Sequence, residues 1–371
     1  MSLSDHAAMA RALKLARRGL YSTHPNPRVG CVLVRDGAVV GEGWHVRTGE
    51  PHAEVHALRA AGEQARGATA YVTLEPCSHH GRTGPCADAL LAAGVSRVVA
   101  AMQDPNPQVA GQGLARLRAA GVQVESGLLE AEARELNPGF ISRMERGRPF
   151  VRAKLGMSLD GRTAMASGES QWITGPQARQ AVQRLRAQSS LIISGADTVL
   201  ADQARLTVRG AELGLDEEQT ALALSRCPPQ RLLIDSRVRV PVSAPFYQAG
   251  PAWLACKAGS DASAYRAAGH AVLECTDSRP HIDLHALLAQ LAALQINEVL
   301  VEAGPRLAGA FAAAGLVDEF WLFQAPVLLG SNARPLLDWP LERLADGPRL
   351  TVIERRMVGN DQLLIARPSK E

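Results

Sequence analysis

No apolar run in this 371-residue chain approaches the roughly 18 residues that span a bilayer, so no membrane partner is expected. Charge of one sign is also lacking: the formal net charge is +3, too mild to leave the electrostatic footprint of nucleic-acid binding. The start, "MSLSDHAAMARALKLARRGL", places Asp5 before any basic residue and reads as an amphipathic helix. It is not the basic start and unbroken apolar stretch of a secretory signal. The chain is therefore expected in the cytoplasm, where thiols stay reduced. Cysteine is scarce: the six are Cys31, Cys77, Cys86, Cys227, Cys256 and Cys275, and only Cys77 and Cys86 form a local pair. The other four stand in separate apolar contexts and are expected as inert core residues. No Gly-x-x-x-x-Gly-Lys-Ser/Thr occurs, and no Gly-x-Gly-x-x-Gly follows a strand; "GQGLAR" at 111–116 begins like one, lacks the third glycine and reads as a loop before a helix. Internal repeats and low-complexity tracts are absent.

What is present suits a globular protein: 46% apolar and 21% charged residues, in a chain whose length favours two domains. Through residue 127 helix and strand signals alternate. A hairpin, "RVGCVLVRDGAVVGEGWH", turns at Asp36-Gly37. Pro51 opens a helix ending at Gly62. Strand signals in "ATAYVTLE", "SRVVAAM" and "VQVESG" are interleaved with helices in "PCADALLAAG" and "GLARLRAAG". The charged stretch 132–149 reads as a connection, giving domains at 1–146 and 147–371. Alternation then restarts, with strands in "FVRAKLGMSLDG", "SLIISGADTV", "QRLLIDS", "AWLAC", "HAVLEC" and "NEVLVEAG", and helices in "QARQAVQRLRAQ", "HALLAQLAALQI" and "RLAGAFAAAG". Residues 210–229 read as a surface loop, and Gly359-Asn360 as a second hairpin turn. In the first domain the repeated βα units argue for α/β layers with a partly parallel sheet.

"PHAE" at 51–54 and "EPCSHHGRTGPC" at 75–86 carry chemistry. A disulfide between Cys77 and Cys86 runs against a reducing compartment. A structural zinc site wants four tightly spaced ligands, whereas here the cysteines stand nine positions apart and a histidine about 25 residues earlier. Three ligands and an open fourth position are the pattern of a catalytic zinc. His56, at i+4 from His52, is an alternative fourth ligand. Mid-helix, His52 and Glu54 would point about 200° apart, so they converge only at a helix end, where Pro51 puts them. Cys86 likewise follows Pro85 at a helix start, where free N–H groups favour thiolate. Glu54 then need not bind metal and can carry a proton.

The combination H-A-E … P-C-x₈-C resembles the cytidine deaminase superfamily, whose cysteines are usually separated by two residues rather than eight. With "HPNPRVGCVLV" near the start, the variant resembles the deaminase half of the bifunctional deaminase/reductases of riboflavin biosynthesis. The resemblance implies that His52, Cys77 and Cys86 hold Zn²⁺ and that Glu54 is the proton shuttle. It also implies that Asn26 and His45 meet the pyrimidine and that His79 and Arg82 meet the ribose phosphate. Taken alone, Asn26 between two prolines is a turn residue.

The second half is less explicit on its own. "VLVEAGPRLAGAF" runs a strand into Gly304 and a helix, which can seat a phosphate, and which a plain βα turn explains as well. Basic residues in "RPFVRAKLGMSLDGR" and "QRLRAQ" read alone as solvated faces. Yet "VRAKLGMSLDGRTA", "SGESQWITG", "SGADTVLAD" and "VEAGPRLAGAF" resemble, in order, the reductase half of the same family. This implies a cytidine deaminase-like α/β/α domain followed by a dihydrofolate reductase-like α/β domain, with NADPH as hydride donor. Gly156, Trp172, Thr198, Asp202, Ser236 and the turn Gly304, Pro305, Arg306, Leu307, Ala308, Gly309 and Ala310 would border NADPH. Lys154, Ser170, Arg186, Leu206, Arg209 and Glu302 would hold the phosphosugar. In "ADQARLTVR", Gln203-Ala204 replaces the family's frequent Asp-Pro. The implied substrates are phosphoribosylaminopyrimidines. A nucleic-acid deaminase with an appended domain, a zinc-stabilised binding protein, and an enzyme with one inert half stay open as rivals. A homo-oligomer, a dimer first, is expected; the apolar strands after residue 318 can serve its interface or the core.

Overall fold

The computed structural model describes residues 3–78, 84–225, 228–275 and 281–369. The chain divides into two compact units, Met1–Gly147 and Arg148–Glu371.

In the N-terminal unit, Ser4 caps α1 (Asp5–Ala16), its hydroxyl accepting from the Ala7 N–H. β1 (Gly30–Arg35) and β2 (Ala38–Trp44) form the expected hairpin. Asp36 and Gly37 both take positive φ, 52° and 75°, the conformation a tight two-residue turn requires. α2 (Ala53–Ala61) starts two residues later than expected: Pro51 lies outside it and His52 is its N-cap. β3 (Thr69–Val72), α3 (Cys86–Ala92), β4 (Arg97–Ala100), α4 (Gln112–Ala119) and β5 (Gln123–Ser126) follow. The sheet order is β2-β1-β3-β4-β5, antiparallel across β2, β1 and β3 and parallel from β3 to β5.

The stretch expected as a connection is instead two helices, α5 (Glu130–Leu136) and α6 (Pro138–Arg146). Its charges masked an apolar set, Ala133, Phe140 and Ile141, which packs with Ala8, Met9 and Leu13 of α1 on one face of the sheet. α2, α3 and α4 cover the other face through Ala53, Ala57, Ala87, Leu90 and Leu117. Three layers result. α2 lies unusually close to β2: a Cβ on Gly43 would stand 2.3 Å from the Ala53 carbonyl oxygen, so this contact admits only glycine.

The C-terminal unit opens with β6 (Phe150–Ser158) and β7 (Arg162–Ala164), then α7 (Pro176–Gln188), β8 (Leu191–Gly195) and α8 (Ala196–Asp202). The last of these corrects the sequence reading. "SLIISGADTV" is strand only to Gly195, which caps the helix that follows from Ala196. The loop expected at 210–229 contains α9 (Glu217–Leu224), capped by Asp216. β9 (Gln230–Ile234), α10 (Pro245–Gln248), β10 (Trp253–Lys257), α11 (Ser263–Ala267), β11 (Ala271–Cys275), α12 (Leu284–Ala293), β12 (Glu298–Val301) and α13 (Pro305–Ala313) continue the alternation. β13 (Glu319–Ala325), β14 (Arg334–Pro335), β15 (Leu350–Val358) and β16 (Asp361–Pro368) close the chain.

Nine strands form one sheet, ordered β11-β10-β9-β8-β12-β6-β13-β16-β15. The seven from β11 to β13 are parallel; β16 and β15 return antiparallel through the turn at Gly359. All four residues of β12 are buried, as a central parallel strand covered on both faces must be. Phe311, Leu287 and Leu291 pack one face, and Phe246, Tyr247, Leu185 and Val199 pack the other. In such a sheet ligands collect at the C-terminal ends of parallel strands. Gly156, Gly195, Ser236 and Glu302 stand at or just beyond those ends. Among the described residues no helix is long and apolar enough to cross a membrane.

Candidate active sites

In the N-terminal unit two helix starts face one another. His52, as N-cap of α2, and Cys86, first residue of α3, converge with Cys77 from the loop after β3. His52 Nδ1 lies 3.7 Å from Cys77 Sγ and 3.3 Å from Cys86 Sγ. Tetrahedral zinc, with Zn–N near 2.05 Å and Zn–S near 2.3 Å, requires N···S separations of about 3.6 Å. The donor set therefore fits zinc in both type and spacing. Among the described residues these three are the one group able to hold a metal; His56 does not join it, and its buried Nε2 has no partner. The Cys86 N–H donates to Cys77 Sγ at 3.3 Å, the helix-start bond that favours thiolate. A hydrogen bond from the Cys86 thiol, with His52 and that N–H adding, holds Cys77 well below the ordinary thiol range. The second sulfur is pushed up correspondingly.

Glu54 is 3% exposed, and its Oε2 has no hydrogen-bond partner. Burial pushes its carboxyl up from the usual carboxylate range. A buried carboxylate oxygen without a partner, two residues from a zinc donor, has the chemistry to accept and return a proton.

Asn26 and His45 do come together: Asn26 Nδ2 and His45 Nε2 are 3.1 Å apart, and His45 Nδ1 is 3.2 Å from the Pro51 carbonyl oxygen. Burial and the nearby His52 and His56 push His45 down to about 4, so the ring is neutral near pH 7. Nδ1–H then donates to Pro51, and Nε2 accepts from the Asn26 amide. Both ring nitrogens are thus spent within the protein. His79 and Arg82 lie outside the described residues, as does Cys227; Cys31, Cys256 and Cys275 are buried as expected.

In the C-terminal unit an ion cluster gathers where β12 ends beside the middle of β6. Arg186, from α7, grips Glu302 with two bonds of 2.8 and 2.7 Å and donates to the Thr207 carbonyl. Lys154 stands 3.5 Å from the same carboxylate. Burial opposes ionisation of Glu302, but Arg186 and Lys154 outweigh it and bring the group to about 2. Asp202 hydrogen-bonds Ser170 and is raised by burial.

The Gly304 N–H donates to Thr198 Oγ1 at 2.9 Å, joining α8 to the start of α13. That start, with Pro305 in its first turn, offers N–H groups without helical partners, the cradle a dinucleotide's phosphates need. Gly195 holds the facing wall open; a Cβ there would stand 3.3 Å from Leu307. Trp172 is 67% exposed and stacked by the Arg179 guanidinium at 4.6 Å, leaving the opposite ring face for a flat group. Three residues are less directly placed. The Leu206 side chain is buried in the core, so its backbone, at φ 54°, is what it presents. Arg209 pairs with Glu212 at 2.9 Å, and Arg306 is 79% exposed and paired with Asp197.

Sequence reasoning passed over two buried carboxylates. Asp235 Oδ2 accepts from Arg239 N–H and Val240 N–H at 2.6 and 2.8 Å, fixing the turn that carries Ser236. Glu75 does the same for the loop beside Cys77. The signal was available: Asp235 directly follows β9 and precedes Ser236, and Glu75 stands two residues before Cys77.

A zinc donor triad with a buried glutamate, at two helix starts beside a five-stranded sheet, defines a deaminase of the cytidine deaminase class; the second unit has the dihydrofolate reductase-like architecture. The family model for the cytidine and deoxycytidylate deaminase zinc-binding region matches residues 2–102, and that for the RibD C-terminal domain matches 149–364. Riboflavin biosynthesis protein RibD of Escherichia coli K12 is 58% identical over 366 residues, covering 98% of this chain and 99% of that one. Its Haemophilus influenzae counterpart is 48% identical over 371 residues, covering 99% and 98%. Among solved structures, Acinetobacter baumannii RibD superposes with a TM-score of 0.91 at 46% identity, covering 99% of each chain. A Thermotoga maritima diaminohydroxyphosphoribosylaminopyrimidine deaminase/5-amino-6-(5-phosphoribosylamino)uracil reductase gives 0.83 at 31%, covering 98% of this chain and 99% of that one. The chain belongs to the RibD family of bifunctional riboflavin biosynthesis enzymes, deaminase and reductase in one polypeptide. Its deaminase region carries the His/Cys/Cys zinc site, and its reductase uses NAD(P)H.

Proposed function

We propose that the N-terminal unit deaminates 2,5-diamino-6-(5-phosphoribosylamino)pyrimidin-4-one at C2. The C-terminal unit then reduces the ribosyl group of 5-amino-6-(5-phosphoribosylamino)uracil to ribityl, with NADPH as the donor. The names borne by the Thermotoga maritima relative support both substrates. The observation that carries the first step is the buried, unpartnered Glu54 Oε2 two residues after His52.

His52 Nδ1, Cys77 Sγ and Cys86 Sγ would hold zinc, which supplies acidification of a water to a pKa of roughly 7. Glu54 Oε2 takes a proton from the attacking water and delivers it to the departing amino nitrogen. Burial, by raising its proton affinity, suits it to both halves of that transfer. Asn26, its Nδ2 held by His45, is left with Oδ1 free to accept from a pyrimidine N–H. His45 acts through Asn26 rather than on substrate. His79 and Arg82 remain assigned to the ribose phosphate.

In the second unit NADPH supplies the hydride. Gly156, Trp172, Thr198, Asp202, Ser236 and Gly304 to Ala310 would border it. Arg186, Lys154 and Glu302 form a preorganised charged floor for the phosphosugar, with Ser170, Leu206 and Arg209 around it. As hydride reaches C1 of the ribose, its ring oxygen needs a proton. Asp202, which hydrogen-bonds Ser170, would relay one to it as the bond from C1 to that oxygen breaks.

The free thiols of the site suit a cytoplasmic setting. We further assign the chain to a homodimer through β15. This nine-residue strand ends the sheet and exposes Val352 (53%), Ile353 (50%) and Met357 (63%), an edge that pairing with a second copy would cover. Ile353→Lys should then give a monomer by light scattering, whereas an unchanged mass would reject the interface.

The activity test supplies the diaminopyrimidine phosphate with and without NADPH. Ammonia release should proceed in both cases, and NADPH absorbance should fall only after deamination. Absorbance loss without ammonia, or neither signal, would reject the reading.

A further inference from the structure

Glu75 is 4% exposed and ends the segment that leads from β3 to Cys77. Its carboxylate accepts four backbone N–H groups. Oε2 takes those of Asp104 at 3.1 Å and Gly111 at 2.9 Å. Oε1 takes those of Gly113 at 2.8 Å and Leu114 at 3.2 Å. Its own N–H donates to the Met102 carbonyl at 3.0 Å. No cation is paired with it among the described residues. The charge is balanced by oriented N–H groups and the start of α4, an arrangement that fixes backbone rather than neutralising a side chain.

The next peptide is held equally tightly. A Cβ on Gly113 would lie 1.9 Å from the Pro76 carbonyl oxygen, so the first turn of α4 rests directly on the residue preceding Cys77. Loop 103–111, α4 and the Cys77 ligand are thereby one rigid piece with Glu75 at its centre. Asp104, whose N–H Glu75 holds, in turn accepts from Asn106 N–H at 2.8 Å.

We infer that Glu75 is a positioning residue of the deaminase centre: it presets the Cys77 sulfur for the metal by locking residues 75–77 onto the start of α4. A ligand held by its surroundings loses metal slowly, and removal of such support typically weakens metal binding or activity by roughly 10- to 100-fold. Glutamine at this position keeps the length but presents one NH₂ where two acceptor sites stood, so part of the set of four N–H groups is left facing donors.

The inference rests on the zinc reading, and the test separates the two. Full-length protein is loaded with zinc, and its release to a chromogenic chelator is timed for the parent, Glu75→Gln and Gly113→Ala. The expected result is release roughly 10- to 100-fold faster in both variants, with deaminase kcat falling more than KM rises and the reductase rate unchanged. Cobalt substituted for zinc should show altered visible bands in both. A parent that takes up no zinc overturns the zinc reading itself. A parent that binds zinc, with variants matching it in release rate and cobalt spectrum, overturns only the role of Glu75. Should Glu75→Gln fail to fold by circular dichroism, Gly113→Ala, which perturbs the same contact from the other side, decides alone.

Discussion

The two units reach a working site by opposite means. In the first, four side chains between His52 and Cys86, delivered by two helix starts and one loop, define the chemistry. In the second, the proposed site would draw on strand ends and turns spread from Lys154 to Ala310, much of it backbone. A metal demands particular donor atoms, few residue types provide them, and a short motif therefore betrays the function. A dinucleotide and a phosphosugar are held by N–H groups, glycine clearances and ion pairs that many sequences can build. The charge logic differs too. Glu54 is buried with one carboxylate oxygen unpartnered, as the proposed proton transfer requires, whereas Glu302 is buried between Arg186 and Lys154 and stays ionised.

This contrast can be broken at either end, because each unit is an internal control for the other. The largest effect is expected from Cys86→Ser or exhaustive chelation: deamination should vanish while reduction of supplied deaminated substrate continues. An equal loss in both assays would refute the independence of the sites. Glu54→Gln should keep zinc and lower deaminase kcat by about 10²–10⁴. Retention of activity to within tenfold would remove Glu54 from the proton path.

In the other unit, Arg186→Ala strips a buried carboxylate of its main partner. Such a break costs about 3–5 kcal/mol and should lower the melting transition of the C-terminal unit together with reductase activity, leaving deamination intact. The ion cluster also predicts a pH dependence. Glu302 falls from an ordinary 4.5 to about 2 on folding, so its contribution is fully present above 4.5 and fades as pH drops toward 2. Acid titration of the C-terminal unit should show this loss in the parent and less of it in Glu302→Gln; identical acid curves would contradict the pairing. The smallest effect belongs to His45→Gln, which leaves zinc and Glu54 in place. It should raise the deaminase KM by roughly fivefold with little change in kcat, since one hydrogen bond orienting Asn26 is worth about 1 kcal/mol.

The sequence made the alternation of strands and helices, both hairpin turns and the zinc triad legible, because period, turn chemistry and ligand type are local properties. It hid α5 and α6 behind their charges: Phe140 and Ile141 declare themselves only once α1 and the sheet offer a surface. It ran β8 into α8, although Gly195 stands at the break: the glycine ends the strand and serves as N-cap of the helix. His45 was legible as a residue of the pyrimidine site only through the family resemblance. Its two bonds, to Asn26 and Pro51, depend on residues brought together by the fold. Glu75 stood in plain view beside Pro76 and Cys77, but its four partners lie some 30 to 40 positions downstream.

The most direct test of the account is X-ray absorption at the zinc edge of full-length protein, with metal content measured on the same sample. One zinc per chain, bound by one nitrogen, two sulfurs and one exchangeable oxygen, is the result the geometry requires. Absence of zinc, or a first shell completed by a fourth side chain, would contradict it.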